Sequence, residues 1–238
     1  MRHKPKLRRQ SVLHGGNTSV SRQEQIFPGI RISVPWLTIS ASHWITWRAA
    51  RMSGRRESLV PVLETQRIIL RPFTEADAED VYAYCSDPRV GPIAGWKPHE
   101  SVEESREIIR TVFSAPDVFA VADRETGRVI GSAGFVTPHR GEVHEGRSLE
   151  IGYALSPAYW GRGLMPEVVA ELLRYGFREL NLDEIWVTHY EENHQSRRVI
   201  EKSGFLYAFT ENLSDEFYPD RPTCFYFITR EMWEKRGH

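Results

Sequence analysis

The sequence predicts a mixed α/β (α+β) fold, in which helices flank a central β-sheet. Helical and strand-like patterns interleave along the chain in the order β-α-α-β-β-β-α-β-α-β. Two of the strand-like runs are joined by a tight turn and so predict a hairpin. Further along, a strand, a glycine turn, a helix and another strand follow one another as one unit. Helices interleaved with strands, some of them in hairpins, imply a mixed sheet with helices packed on it.

Five elements are predicted before a polar loop that begins at His139. Thr74 and Ser101 are favoured N-cap residues and mark two helix starts. Asp77, three residues after Thr74, supports the first of these starts. The elements are a strand at Arg67–Arg71, a helix from Thr74 through Tyr84, a helix from Ser101 through about Phe113, and hairpin strands at Val118–Asp123 and Val129–Val136.

Five more elements follow a polar loop at His139–Arg147. The longest is a helix whose apolar residues recur at helical spacing. Gly204 is a plausible end for the short helix before it, because glycine tolerates the left-handed backbone there. The elements are a strand at Leu149–Leu155, a helix from about Leu164 to Leu180, a strand at Glu184–His189, a helix from Asn193 to Ser203, and a last strand at Pro222–Thr229.

The composition separates a basic N-terminal segment from an acidic remainder. Residues 1–56 carry eleven Lys/Arg and one acidic residue, whereas the remainder carries 20 basic and 31 acidic residues. No run approaches the roughly 18 apolar residues of a membrane-spanning helix. The two cysteines, Cys85 and Cys224, cannot form a disulfide framework or a thiolate zinc site, so a cytoplasmic location without membrane attachment is expected.

Patterned sequence begins only after Met52. Residues 1–56 are therefore expected to be a disordered or non-native extension of a domain that spans 57–238, with Met52 as the natural start. Two alternatives stay open for this segment. It resembles an organelle transit peptide in being Arg-rich and acid-poor, and it has the charge of a nucleic-acid-binding arm.

The glycine turn at Trp160–Gly163 has the properties of an anion site. Glycines between a strand and a helix let the backbone approach a ligand closely, and the first helical amides lack intrahelical partners. Arg162 adds a positive charge, so a diphosphate is a natural guest. The pattern lacks the third glycine of a dinucleotide fold and the Gly-Lys-Ser/Thr of a P-loop. Alone, it is equally compatible with an ordinary turn.

Four stretches follow one another along the chain at characteristic spacings. They are Leu63–Arg67 with Leu70–Pro72, Glu150–Tyr153, Tyr159–Gly163 with Glu167, and Asn193–Ser196 with Glu201–Phe205. Together they resemble the GNAT (GCN5-related N-acetyltransferase) family, and most closely its ribosomal-protein alanine acetyltransferase (RimJ/RimL-type) branch. The resemblance covers residues 63–234. One position departs from the wider family pattern, because Ala158 stands where Gln or Arg is frequent.

The resemblance implies acetyl-CoA as co-substrate, bound where the fourth and fifth strands of the sheet splay apart. Its pantetheine arm would pair with the fourth strand, and its pyrophosphate would lie on the amides of about Arg162–Met165. Asn193 would bond the pantetheine amides, although Asn193 is equally well placed to cap its helix. The implied cofactor-binding residues are Ile151, Gly152, Tyr153, Trp160, Gly161, Arg162, Gly163, Leu164, Asn193 and Ser196.

The implied reaction is direct attack of a primary amine on the thioester, which calls for a general base. Glu150 is the first candidate, with a structural carboxylate as the equal alternative. Asp215 and Glu216 are second candidates and would lie on the acceptor side. Ser196 matches the position that protonates the leaving thiolate. Trp96 is expected either to line the acceptor pocket or to pack in the core.

Three functions stay open at this point. The first is an acetyltransferase acting on an amine, as a monomer or homodimer. The second is a catalytically silent CoA-binding regulatory domain, and the third is nucleic-acid binding through the basic N-terminal arm. Retention of Glu150, Asn193 and Ser196 favours the first over the second. The histidines show no metal-ligand spacing, so no metal is expected. The acceptor amine is not identified by any motif.

Overall fold

An eight-stranded sheet forms the centre of the computed structural model, which describes residues 60–136, 138, 147–214 and 219–237. The strands are β1 (Leu63–Glu64), β2 (Ile68–Arg71), β3 (Val118–Asp123), β4 (Val129–Val136), β5 (Ser148–Leu155), β6 (Glu184–Tyr190), β7 (Leu206–Leu213) and β8 (Arg221–Thr229). Their order in the sheet is β1-β2-β3-β4-β5-β6-β8-β7. Only β5 and β6 pair in parallel, so the predicted mixed sheet is confirmed.

Helices and short helical turns connect these strands. The helices are α1 (Ala78–Cys85), α2 (Gly91–Ala94), α3 (Val102–Thr111), α4 (Leu164–Arg178), α5 (His194–Ser203) and α6 (Arg230–Glu234), with 3₁₀ turns at Glu75–Asp77 and Pro157–Tyr159. The Ser101 hydroxyl accepts a hydrogen bond from the Glu104 amide at 3.1 Å. The Asn193 carboxamide accepts one from the Ser196 amide at 3.0 Å. The predicted N-cap at Ser101 is therefore confirmed, and Asn193 caps its helix as the capping alternative requires.

Four elements lie outside the predicted set: β1, α2, β7 and α6. Strands β1 and β7 are the two edges of the sheet. Residues of β7 are mostly exposed or half-buried, so the strand lacks the strict alternation that identifies a half-buried strand. The other three elements are only two to five residues long. Because β1 precedes the first predicted strand, the predicted fourth and fifth strands are β5 and β6.

An apolar core lies where α4 packs on the sheet. Leu172 and Phe177 of α4 are fully buried there, as are Ile185 and Ile228 of the strands beneath. At the start of α4, Leu164 and Met165 are also buried in this core. The packing therefore fixes the N-terminal end of α4 against the sheet.

Strands β5 and β6 separate along their length. Their parallel pairing begins at Ser148 and Glu184 and ends at Ile151 and Val187. Strand β5 continues to Leu155, paired only with β4, and β6 continues to Tyr190, paired only with β8. The residues beyond the last shared pair therefore border a gap between the two strands, as the splayed-strand prediction requires.

A buried carboxylate near the start of the fold predicts a pH dependence. Burial alone would raise the pKa of Asp77, but hydrogen bonds from Arg71 (2.8 Å) and from the Thr74 amide (2.8 Å) lower it below its ordinary value. Because the folded-state pKa of Asp77 lies below the unfolded value of about 3.9, the ionised carboxylate stabilises the fold. This stabilisation is fully present above the unfolded pKa and is lost as the pH falls through the folded pKa. The free energy of unfolding of the wild type, measured in urea, should therefore fall below about pH 4. It should fall less steeply with pH in Asp77→Asn. Equal declines would contradict this assignment.

Several expectations lie outside the described residues, namely those for residues 1–56 and for Asp215 and Glu216. Within the described ranges, no helix combines the length and apolarity that crossing a membrane needs. Cys85 and Cys224 are both buried and carry free thiols.

Candidate active site

The glycine turn joins the 3₁₀ turn that follows β5 to the start of α4. Gly161 and Gly163 have φ angles of 76° and 75°, in the left-handed region that favours glycine. A Cβ atom built on Gly161 would meet no atom within 4 Å, and one on Gly163 would meet only Arg67 Nη2 at 3.8 Å. The glycines are thus required by backbone conformation, and the space in front of them is open.

The amides at this turn are available to a ligand. Among the described residues, none accepts a hydrogen bond from the amides of Arg162, Gly163 or Leu164. Leu164 begins a helix of 15 residues, whose N-terminal end carries partial positive charge. Exposed, unpartnered amides at such a helix end form an anion site. The local geometry therefore fits the diphosphate expected from the sequence.

Two aromatic side chains brace the turn. The Trp160 indole Nε1 donates a hydrogen bond of 2.7 Å to the carbonyl of Leu155, the last residue of β5. The Arg162 guanidinium lies 4.9 Å from the centre of the Tyr159 ring, within cation–π distance. Trp160 therefore ties the turn to the end of β5, and Arg162 stays at the surface beside it.

Tyr153 and Ser196 meet across the site. The Tyr153 hydroxyl shares a hydrogen bond of 2.8 Å with the Ser196 hydroxyl and lies 3.3 Å from the Ser196 carbonyl oxygen. Tyr153 belongs to the part of β5 beyond its pairing with β6, and Ser196 lies in the first turn of α5. Burial raises the pKa of the Tyr153 phenol, so this hydroxyl keeps its proton at neutral pH.

Asn193 uses both ends of its carboxamide within the protein. Its oxygen caps α5, and its Nδ2 donates to the Ile93 carbonyl of α2 at 3.2 Å. The capping alternative is therefore observed. A ligand would bind to Asn193 through the second hydrogen of Nδ2 or the second lone pair of the carboxamide oxygen.

Glu150 is buried at the point where β5 and β6 separate. Glu150 is only 3% exposed, and its Oε1 accepts a hydrogen bond of 2.7 Å from the Thr188 hydroxyl. Glu150 is level with Trp186 in the last part of the parallel pairing, and Thr188 is the first residue of β6 beyond it. The carboxylate is therefore placed at the base of the gap, with a hydroxyl orienting one oxygen.

The α2 segment borders the end of β6. Arg221 of β8 donates to the Pro92 carbonyl at 2.7 Å, forms an ion pair with Glu192, and stacks 3.9 Å from the Tyr190 ring centre. Trp96, just after α2, is only 5% exposed. Low exposure fits both alternatives for Trp96, which stay predictions, and the segment that carries it approaches the gap through Pro92 and Ile93.

No sequence pattern singled out Thr188, Arg221 or the side chain of Tyr153. Thr188 forms a hydrogen bond to Glu150, 38 positions away in the sequence, and Tyr153 forms one with Ser196, 43 positions away. No local spacing reveals such contacts. The one sequence feature that was available is position, because Tyr153 and Glu150 both lie on the strand next to the glycine turn.

The described residues contain no cluster of three or more His, Cys, Asp or Glu side chains arranged to hold a metal ion. The buried His189 illustrates the point, because its Nδ1 lies 2.8 Å from the Tyr190 carbonyl and its Nε2 3.4 Å from the Tyr226 hydroxyl. Its ring is thus engaged by neighbouring protein groups.

A family profile described as the acetyltransferase (GNAT) domain matches residues 67–206. The matched range contains β2 through the first residue of β7, and with them the glycine turn, Glu150, Tyr153 and Ser196.

Individual proteins agree with this match. The "uncharacterized N-acetyltransferase YoaA" of Bacillus subtilis (strain 168) is 32% identical over 152 residues, which are 62% of this chain and 84% of that protein. The "[ribosomal protein uS5]-alanine N-acetyltransferase" of Escherichia coli (strain K12) is 24% identical over 168 residues, 65% of this chain and 83% of that protein. A crystal structure of an acetyltransferase (GNAT family) from Bacillus anthracis matches with a TM-score of 0.62 and 25% identity, over 72% of this chain and 99% of that one.

Proposed function

Because this chain belongs to the acetyltransferase (GNAT) domain family and is an N-acetyltransferase, we propose that it transfers the acetyl group of acetyl-CoA to a primary amine by direct attack. The catalytic domain in this proposal spans 57–238. The observation that carries the proposal is the gap between β5 and β6, which is bordered by an anion site at one end and a buried carboxylate at the other.

The residues around the gap fit the parts of acetyl-CoA. The open amides of Arg162, Gly163 and Leu164 suit its pyrophosphate. The half of β5 beyond Ile151 offers a strand edge to the peptide-like pantetheine arm. Asn193 and Ser196 lie across the gap from that edge and offer polar groups to the same arm.

Glu150 is the proposed general base. An attacking amine must be unprotonated, and ordinary amines have pKa values of about 8–10. The Glu150 carboxylate lies where β5 and β6 separate and keeps one oxygen bonded to Thr188. It would accept the proton released as the carbon–nitrogen bond forms, directly or through water.

The Ser196 hydroxyl is proposed to protonate the departing sulfur, and the Tyr153 hydroxyl is proposed to support Ser196. When the carbon–sulfur bond breaks, the thiolate of CoA needs a proton, and Ser196 lies in the first turn of α5 beside the gap. Tyr153 shares a 2.8 Å hydrogen bond with Ser196, so it would orient the Ser196 hydroxyl, which would recover its proton from water after CoA leaves. Amides of β5 near Gly152 and Tyr153 would stabilise the negative oxygen of the intermediate.

The acceptor is proposed to be an N-terminal amine of a protein or a small-molecule amine. The name of the Escherichia coli relative specifies an alanine of a ribosomal protein. That name, together with the motifs of the same branch, favours the protein N-terminus.

Incubation with acetyl-CoA and a panel of amines, with release of CoA thiol as the measurement, tests the proposal. Peptides with N-terminal alanine or serine, polyamines and aminoglycosides should include at least one acceptor. Omission of the amine provides the control for thioester hydrolysis. Tight CoA binding without turnover on any amine would favour the catalytically silent CoA-binding domain, and absence of CoA binding would contradict both functions.

A further inference from the structure

Arg67 connects the beginning of the sheet to the glycine turn. It directly precedes β2, and its guanidinium reaches a loop about 95 residues later. Its Nη1 donates to the Arg162 carbonyl at 3.0 Å, and its Nη2 donates to the Gly163 carbonyl at 3.3 Å. Two consecutive carbonyls of the turn are therefore held by one planar group.

Glu167 fixes the guanidinium in place. This carboxylate lies in the first turn of α4 and accepts bonds from Arg67 Nε and from the Arg67 amide, both at 2.8 Å. Thr65 Oγ1 donates to it as well, at 2.5 Å. Burial alone would raise the pKa of Glu167, but these hydrogen bonds from Thr65 and Arg67 lower it. The carboxylate is thus ionised at neutral pH and locks the orientation of Arg67.

The peptide geometry turns this contact into a constraint on the anion site. In a planar trans peptide, the carbonyl of one residue and the amide N–H of the next point in opposite directions. Holding the carbonyls of Arg162 and Gly163 against Arg67 therefore directs the amides of Gly163 and Leu164 away from it. Those are amides that lack an acceptor among the described residues.

Stability alone does not account for this arrangement. The Arg67 side chain is 46% exposed and that of Glu167 19%, and an ion pair so open to solvent adds only about 0–1 kcal/mol. All three guanidinium nitrogens already contact protein oxygens. The charge of Arg67 is also balanced by Glu167. These features suit a residue that shapes the turn better than one that binds phosphate directly.

We propose that Arg67 is a positioning residue for the donor site: by holding the carbonyls of Arg162 and Gly163, it presents the following amides to the pyrophosphate of acetyl-CoA. The inference rests on the proposed use of acetyl-CoA. It assigns to Arg67 a function that depends on the phosphate groups of the donor and does not involve the thioester.

A comparison of two acetyl donors, acetyl-CoA and S-acetylpantetheine, distinguishes this function from a general structural one. S-acetylpantetheine carries the thioester and the pantetheine arm of acetyl-CoA but has no phosphate. Arg67→Gln should weaken CoA affinity, measured by calorimetry, about tenfold, the equivalent of about 1.4 kcal/mol of binding free energy. The KM for acetyl-CoA should rise in parallel, whereas kcat/KM for S-acetylpantetheine should stay at the wild-type value.

Three companion variants sharpen the result. Arg124→Gln is the matched control, because Arg124 is similarly exposed (40%), pairs with Glu64 and bonds the Thr65 carbonyl, but does not contact the turn; it should bind CoA like the wild type. Arg67→Lys keeps the charge without the planar fork and should restore little affinity. The double variant Arg67→Gln/Glu167→Gln also removes the carboxylate that Arg67→Gln leaves unbalanced. Its affinity for CoA should stay low.

The outcomes are distinguishable. Equal losses with both donors would make Arg67 merely structural and overturn the inference. Full recovery of CoA affinity in Arg67→Lys would also overturn it, because the charge of the side chain would then suffice. Full recovery in the double variant would overturn it as well, because repulsion between Glu167 and the pyrophosphate would then explain the loss. Wild-type affinity in Arg67→Gln would overturn it too. Failure of the wild-type protein to bind CoA would instead contradict the proposed function itself.

Discussion

Replacing Glu150 by glutamine is expected to lower kcat by about 10²- to 10⁴-fold, the usual contribution of a positioned general base. Glutamine has nearly the same shape and can still accept the bond from the Thr188 hydroxyl, but it cannot take a proton from the amine. The rise of kcat/KM with pH should flatten, because the step that depends on an ionised carboxylate is lost. Initial rates across a pH series, with saturating acetyl-CoA, measure both effects.

Glu184→Gln supplies the matched control. Glu184 is also a buried glutamate, in the neighbouring strand β6, but it lies at the start of the β5–β6 pairing, opposite Ser148, and accepts a hydrogen bond from the Trp186 indole. This variant should leave kcat and its pH dependence unchanged. If Glu150→Gln keeps the wild-type pH profile, Glu150 is a structural carboxylate and the base lies elsewhere, with Asp215 and Glu216 as the next candidates.

Phe177→Ala is expected to reduce the free energy of unfolding by about 3–5 kcal/mol, as large-to-small changes in a packed core do. The Phe177 ring is fully buried in α4, and its centre lies 5.4 Å from that of Trp233 in α6. Alanine would leave a cavity between these helices and the sheet. Because domains are stabilised by only about 5–15 kcal/mol, urea unfolding should show a large shift of the midpoint.

The loss should be confined to stability. Phe177 lies 13 residues after Leu164, or about 20 Å along the helix axis from the glycine turn. At a temperature where the variant is folded, its KM for acetyl-CoA should match that of the wild type. The exposed Lys202→Ala is the control and should change stability by less than about 0.5 kcal/mol. A loss below about 1 kcal/mol in Phe177→Ala would show that the site collapses without a cavity.

Local features of the site were predictable from the sequence. The left-handed Gly161 and Gly163 and the cap at Asn193 each depend on residues a few positions apart, and such features leave short motifs. Strand β7 was not predictable in the same way. As an edge strand with half-exposed residues, it has little burial to impose an alternating pattern.

Sequence patterns alone predicted the unit of strand, glycine turn and helix around Trp160–Gly163, and the motifs indicated the family. They could do so because backbone conformation, helix capping and periodic burial act over a few residues. The point where β5 and β6 separate, the contact between Tyr153 and Ser196, and the bonds from Arg67 to the turn became visible only in the folded chain. These contacts join residues about 40 to 100 positions apart, and they depend on strand register and helix packing, which no local pattern encodes.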